Sequence, residues 1–174
     1  MVAALEVYLD VDATRRIRAL WKALEADGIP TMASLHERHR PHISLAAARR
    51  LPPDAVAAAL RGLDVGRGLS VGMDFAGQFV GRVLWLGVTM TEELLAHHRA
   101  VHDRLAHAGV PVWEHYRPGR WVPHCTVSLR VPNPAMGPAV RRCLEILPVR
   151  AQLAGAAVTD HANGISHPLP VAAG

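Results

Sequence analysis

The same order of structural elements is predicted twice along this chain of 174 residues, and that duplication constrains the fold more than any other feature. Apolar alternation predicts a first strand over Ala3 to Leu9, with Leu5, Val7 and Leu9 on one face. A helix is expected over Ala13 to Ala26, capped by Asp12, with Ile17, Leu20, Trp21 and Leu24 at helical spacing. Asp27-Gly28-Ile29-Pro30 ends it. A polar stretch from Ser34 to Arg40 holds His36 and His39, and Pro41 leads into a strand over His42 to Ala47. Pro52-Pro53-Asp54 opens a helix to Leu63, and a strand follows near Leu69 to Phe75. The second half repeats this plan. It runs through a strand over Phe79 to Thr89 and a helix from Thr91 to Ala108 that Gly109 stops. A polar stretch from Glu114 to Arg120 follows, then a strand over His124 to Leu129 after Pro123. A helix opens at Asn133-Pro134 and runs to Leu147, with strands over Val149 to Thr159 and Ile165 to Val171.

Two halves built on one plan pack most simply around an approximate two-fold axis. The expected fold is therefore α+β and bilobal, with two small, mostly antiparallel sheets facing a central groove and helices outside. No linker-like composition divides the halves, so residues 1–174 are expected to form one two-lobed domain. Half of the residues are apolar and a fifth are charged, which excludes a disordered chain. No apolar run reaches the roughly 18 residues needed to span a bilayer, and Met1 to Leu9 does not resemble a signal peptide. Cys125 and Cys143 are too few for a disulfide scaffold and lack zinc-site spacing. A cytoplasmic, monomeric protein is expected. Of its basic residues only Lys22 is a lysine. Arginine suits bidentate contact with phosphate, although a GC-rich genome would give the same bias.

Residues i and i+2 of a strand share a face. His42 and Ser44 therefore point one way, with Ile43 and Leu45 opposite; His124, Thr126 and Ser128 do likewise, with Cys125, Val127 and Leu129 opposite. The apolar set belongs to the core, which makes Cys125 a small buried hydrophobe and no nucleophile. The other set puts an imidazole beside a hydroxyl, twice. In-line displacement at phosphorus needs a base on the attacking oxygen and an acid on the leaving one, on opposite sides. Two histidines from facing lobes supply both near neutral pH. The hydroxyls can donate to the non-bridging oxygens. No metal and no cofactor is required. His97, His98, His102 and His107 fall on one predicted helix; His98 and His102 have a metal-binding spacing, but without an evident third ligand the row reads as a solvated face. In the segment from Trp113 to Trp121, Tyr116, Arg120 and Trp121 could stack on a base and steer a phosphate. Trp113 and Trp121 could equally anchor the loop in the core. Arg38 and Arg40 offer a basic rim before the first motif.

The pair Pro41-His42-Ile43-Ser44-Leu45 and Pro123-His124-Cys125-Thr126-Val127 resembles the doubled His-x-Thr/Ser motif of the two-histidine phosphoesterase superfamily. Within it, the chain is most similar to bacterial 2′-5′ RNA ligase-like proteins, the RNA 2′,3′-cyclic phosphodiesterases. The resemblance implies metal-independent cleavage of cyclic phosphates on nucleotides or RNA ends, with no membrane or DNA partner. His42 and His124 would be the acid–base pair, and Ser44 and Thr126 would hold the phosphate. Ligation to a 2′-5′ bond would use the same residues in reverse, and a binding module that kept the groove would need no proton transfer. Some relatives place an arginine five residues after the second histidine. Here that residue is Leu129, and strand alternation instead puts Arg130 on the face of His124 and Thr126.

Overall fold

The alternation at the N-terminus does form β1, Ala3–Leu9, in a computed structural model that describes residues 2–34 and 39–170. Leu5, Val7 and Leu9 are at most 1% exposed and join one core with Ile17, Leu20, Trp21 and Leu24 of α1, Val11–Ala26. That helix starts earlier than its sequence suggests. Its cap is Asp10, whose side chain accepts from the backbone N–H of Ala13 at 2.9 Å and from that of Gln152 at 2.6 Å. Asp12 falls inside the first turn instead. The remaining elements are β2 (His42–Ala48), α2 (Pro53–Ala59), β3 (Ser70–Phe79), β4 (Val83–Val88), α3 (Glu92–His107), β5 (His124–Ser128), α4 (Met136–Ile146), β6 (Val149–Asp160) and β7 (Ile165–Pro168).

The class is α+β, as expected. Its strands form one antiparallel path in the order β2-β1-β6-β3-β4-β5, with β7 paired to β6. The two expected sheets are joined because β6 serves both. Its first residues, Val149–Gln152, pair with β3, while the stretch from Leu153 to Asp160 pairs with β1. The path does not close: β2 and β5 are its two outer strands, yet they lie against one another. Among the described residues no helix is long and apolar enough to cross a membrane.

Boundaries moved where local chemistry overrode periodicity. Phe79 ends β3 and does not begin the next strand, because Gly81 and Arg82 both take positive φ and turn the hairpin there. Asn133-Pro134 makes a single 3-10 turn before α4 begins at Met136. β5 stops at Ser128, one residue short of the expected Leu129. The expected last strand ends at Pro168, and Val171, like His36 and Arg38, lies outside the described residues.

Candidate active site

The two motif strands converge at their starts. Cys125 of β5 lies within hydrogen-bond reach of the His42 backbone N–H, and the charge of His42 acts on His124. Cys125 is fully buried, and burial pushes its thiol up to about 12, which removes it as a nucleophile. Each histidine is held in the same way. His42 Nδ1 donates to the carbonyl of Arg40 at 2.8 Å, and His124 Nδ1 donates to the carbonyl of Val122 at 2.7 Å. In both cases the carbonyl two residues upstream fixes the ring and leaves Nε2 for chemistry.

Edge strand β2 has its outer carbonyls covered rather than exposed. Trp121 Nε1–H donates to Ser44 O at 3.0 Å, and His98 and His102 Nε2 lie 3.1 and 2.9 Å from Leu45 O. Trp121 stacks on His98 with centroids 3.9 Å apart. These histidines do not form a solvated face: His98 is 1% and His102 7% exposed. Burial pushes His98 down to about 4 and lowers His102 as well, so both stay neutral donors. His97 is half-buried against Val65 O, and His107 is exposed.

Around His42 lies a polar cluster that the sequence did not reveal. Glu6 of β1, paired in register with Ser44, is 3% exposed. Its Oε1 is 3.2 Å from His42 Nε2 and 2.7 Å from Nε2 of His161, in the turn after β6. Its Oε2 accepts from Thr159 Oγ1 at 2.8 Å and from Tyr8 OH at 3.2 Å. Burial works to raise the Glu6 carboxyl, but the charges of His42 and His161 and the Thr159 hydroxyl prevail and hold it down to about 2. The same contact raises His161. His39 packs beside both rings, with centroids 5.2 Å from His42 and 5.8 Å from His161. The Arg40 guanidinium lies 4.2 Å from the Tyr8 ring centroid.

Around His124 the surroundings are aromatic. Phe79 meets its ring edge-on at 4.9 Å, and Trp85 lies 5.9 Å away. Glycines make room for Trp85 and for Phe75, which meets it edge-on at 6.0 Å: a Cβ on Gly77 would sit 2.2 Å from the Trp85 ring, and one on Gly87 2.0 Å from Phe75. Burial lowers His124, and the positive charge of His42 adds to the effect.

The other expected residues divide. Tyr116 reaches the first motif, where its hydroxyl bonds the Ser44 side chain, and burial raises it. Thr126 is half-buried on β5 beside Trp85 of β4. Trp121 is a buried strut, as the anchor reading of that loop had it. Arg120 is exposed and pairs with Glu114 at 3.4 Å. Ser128 does not face the groove; it is fully buried and donates to Pro30 O at 2.6 Å. Because β5 ends there, alternation no longer positions Arg130, which is exposed, with its N–H on Ser128 Oγ at 3.3 Å.

An antiparallel α+β fold whose two outer strands each bring a His-x-Ser/Thr pair to one place defines the two-histidine phosphoesterase class. The family model of the 2′-5′ RNA ligase superfamily matches residues 9–164, and the chain belongs to that superfamily. Membership supports phosphoesterase or ligase activity. Similar solved structures include E. coli LigT in its apo form (TM-score 0.60, 19% identity) and in complex with NADP+ (0.58, 20%), and a protein described as a phosphoesterase (0.58, 18%). In each case the match covers 97% of this chain and 94% of the other. No curated protein matches the chain.

Proposed function

We propose that this protein hydrolyses 2′,3′-cyclic phosphates of nucleotides or RNA ends by acid–base catalysis between His42 and His124, without a metal. The observation that carries the reading is the matched seating of the two histidines, Nδ1–H on the carbonyl two residues upstream, on two outer strands that meet. With Nδ1 protonated, neutral His124 presents Nε2 as a proton acceptor, and its lowered affinity for protons keeps it in that form near neutral pH. His42 differs. Its Nε2 lies 3.2 Å from Oε1 of the buried Glu6 carboxylate, and we assign it the acid role opposite His124.

His124 takes a proton from water, and the water oxygen bonds phosphorus. The ester bond to one ribose oxygen breaks as His42 gives that oxygen its proton. Ser44 and Thr126 donate hydrogen bonds to the non-bridging oxygens, where charge sits during the transfer. The product is a ribose phosphomonoester. Ligation would run the same proton transfers backwards. LigT has been solved with NADP+, ATP, 3′-AMP and phosphate, which supports a nucleotide ligand here. We read the chain as one two-lobed domain, supported by the passage of β6 through both halves, and as a cytoplasmic monomer.

The test is a panel of 2′,3′-cyclic nucleotides and RNA ends bearing 2′,3′-cyclic phosphate, in excess EDTA, with product analysis. Turnover to a monophosphate that is lost in both His42→Ala and His124→Ala is expected. Turnover that survives both substitutions contradicts the reading, and binding without turnover would favour a non-catalytic module.

A further inference from the structure

The carboxylate beside His42 is shared between two imidazoles. Oε1 of Glu6 lies 2.7 Å from His161 Nε2 and 3.2 Å from His42 Nε2, so a buried carboxylate oxygen and two imidazole nitrogens meet at one place. The donor atoms of Glu6, His42 and His161 all lie within 4.8 Å of one another.

The groups behind these atoms are arranged as outer partners of metal ligands are. His42 Nδ1 donates to Arg40 O, which turns the Nε2 lone pair inward. Glu6 Oε2 is occupied by the Thr159 and Tyr8 hydroxyls, which leaves Oε1 as the free ligand atom. The three ligands come from three elements, β1, the start of β2 and the turn after β6, so the fold and not one flexible loop sets their spacing. His161 stands at the surface and gives a route in from solvent.

We propose that Glu6 Oε1, His42 Nε2 and His161 Nε2 form a binding site for a divalent transition-metal ion of the zinc class, with an open coordination position. Two imidazoles and a carboxylate are a ligand set suited to zinc and its neighbours and poorly suited to calcium or magnesium. The ion uses the lone pair that His42 needs for proton transfer. Metal binding therefore opposes the hydrolysis proposed above, and the site is inhibitory. This consequence rests on that reading of His42; the binding itself does not.

The experiment is calorimetric titration of EDTA-stripped, desalted protein with Zn2+, together with the visible spectrum of the Co2+ form. One equivalent of Zn2+ and an intense low-coordinate Co2+ band are expected. His161→Ala, a change at an exposed turn, should weaken binding by at least ~100-fold, since even the loss of an outer-shell partner costs 10–100-fold. Glu6→Gln should do the same, and if that buried change prevents folding, His161→Ala decides. His167→Ala on exposed β7 should leave affinity unchanged. Failure to bind one equivalent, or affinity unaltered in His161→Ala, overturns the site. Turnover of 2′,3′-cyclic nucleotide should fall along the Zn2+ binding curve and return with EDTA. Binding without inhibition overturns the inhibitory role, whereas binding to a protein that turns over no cyclic phosphate counts against the hydrolysis and leaves the site standing.

Discussion

His42 and His124 share a backbone arrangement and differ in almost everything around it. Each ring is fixed by the carbonyl two residues upstream, at 2.8 and 2.7 Å. Beyond that bond, His42 looks into Glu6, His161 and His39, and His124 looks onto Phe79 and Trp85. The repeated plan therefore delivers two imidazoles seated alike in unlike surroundings. Burial lowers His124, whereas His42 Nε2 lies 3.2 Å from a buried carboxylate.

The largest expected effect breaks the comparison on either side. His42→Ala and His124→Ala should each lower turnover of a 2′,3′-cyclic nucleotide by ~10²–10⁴-fold in steady-state assays, the usual contribution of a positioned acid or base. Next comes the support under the first motif. Trp121→Ala removes the donor to Ser44 O and the stack on His98, and should destabilise the fold by about 3 kcal/mol or more in denaturant titration. On the aromatic side, Gly87→Ala drives a Cβ into the Phe75 ring and disturbs the wall beside His124. It should cost less than the ~100-fold that a 1 Å misplacement can cause, read as kcat/KM with the fold retained.

The smallest effects are in pH. Burial lowers His124, so the acid limb of kcat/KM should lie below the ordinary histidine value of about 6.5. For stability the sign follows from His98, held at about 4 when folded. Between that value and about 6.5 the unfolded chain binds the extra proton, so stability rises with pH across this window and is lost as pH falls through it. Chemical denaturation between pH 4 and 7 measures this, and His98→Gln should flatten the dependence.

Much of this was legible in the sequence because a period of two separates faces without knowledge of the fold. It put His42 and Ser44 on one side, sent Cys125 to the core, and the repeated order of elements joined two distant motifs into one place. Glu6 was hidden for the same reason that it matters. In β1 it occupies the polar phase of an alternating strand, which reads like any solvated face until pairing sets it opposite Ser44. His98 and His102 read as solvated because their partner, Leu45 O, belongs to an element far away in the chain. Arg130 could not be placed by alternation, which holds only while the strand lasts, and β5 ends at Ser128. The aromatic wall beside His124 was also hidden, because Trp85 reaches its place over Gly77 across the hairpin and packs there with Phe79.

The central claim is that His42 acts as the acid and His124 as the base, and the most direct measurement varies the leaving group. A phosphodiester with a nitrophenolate leaving group needs little protonation on departure. On that substrate the defect of His42→Ala should largely vanish relative to the defect on 2′,3′-cyclic nucleotides, while that of His124→Ala persists. Equal defects on both substrates for His42→Ala, or rescue of His124→Ala in its place, would contradict the assignment.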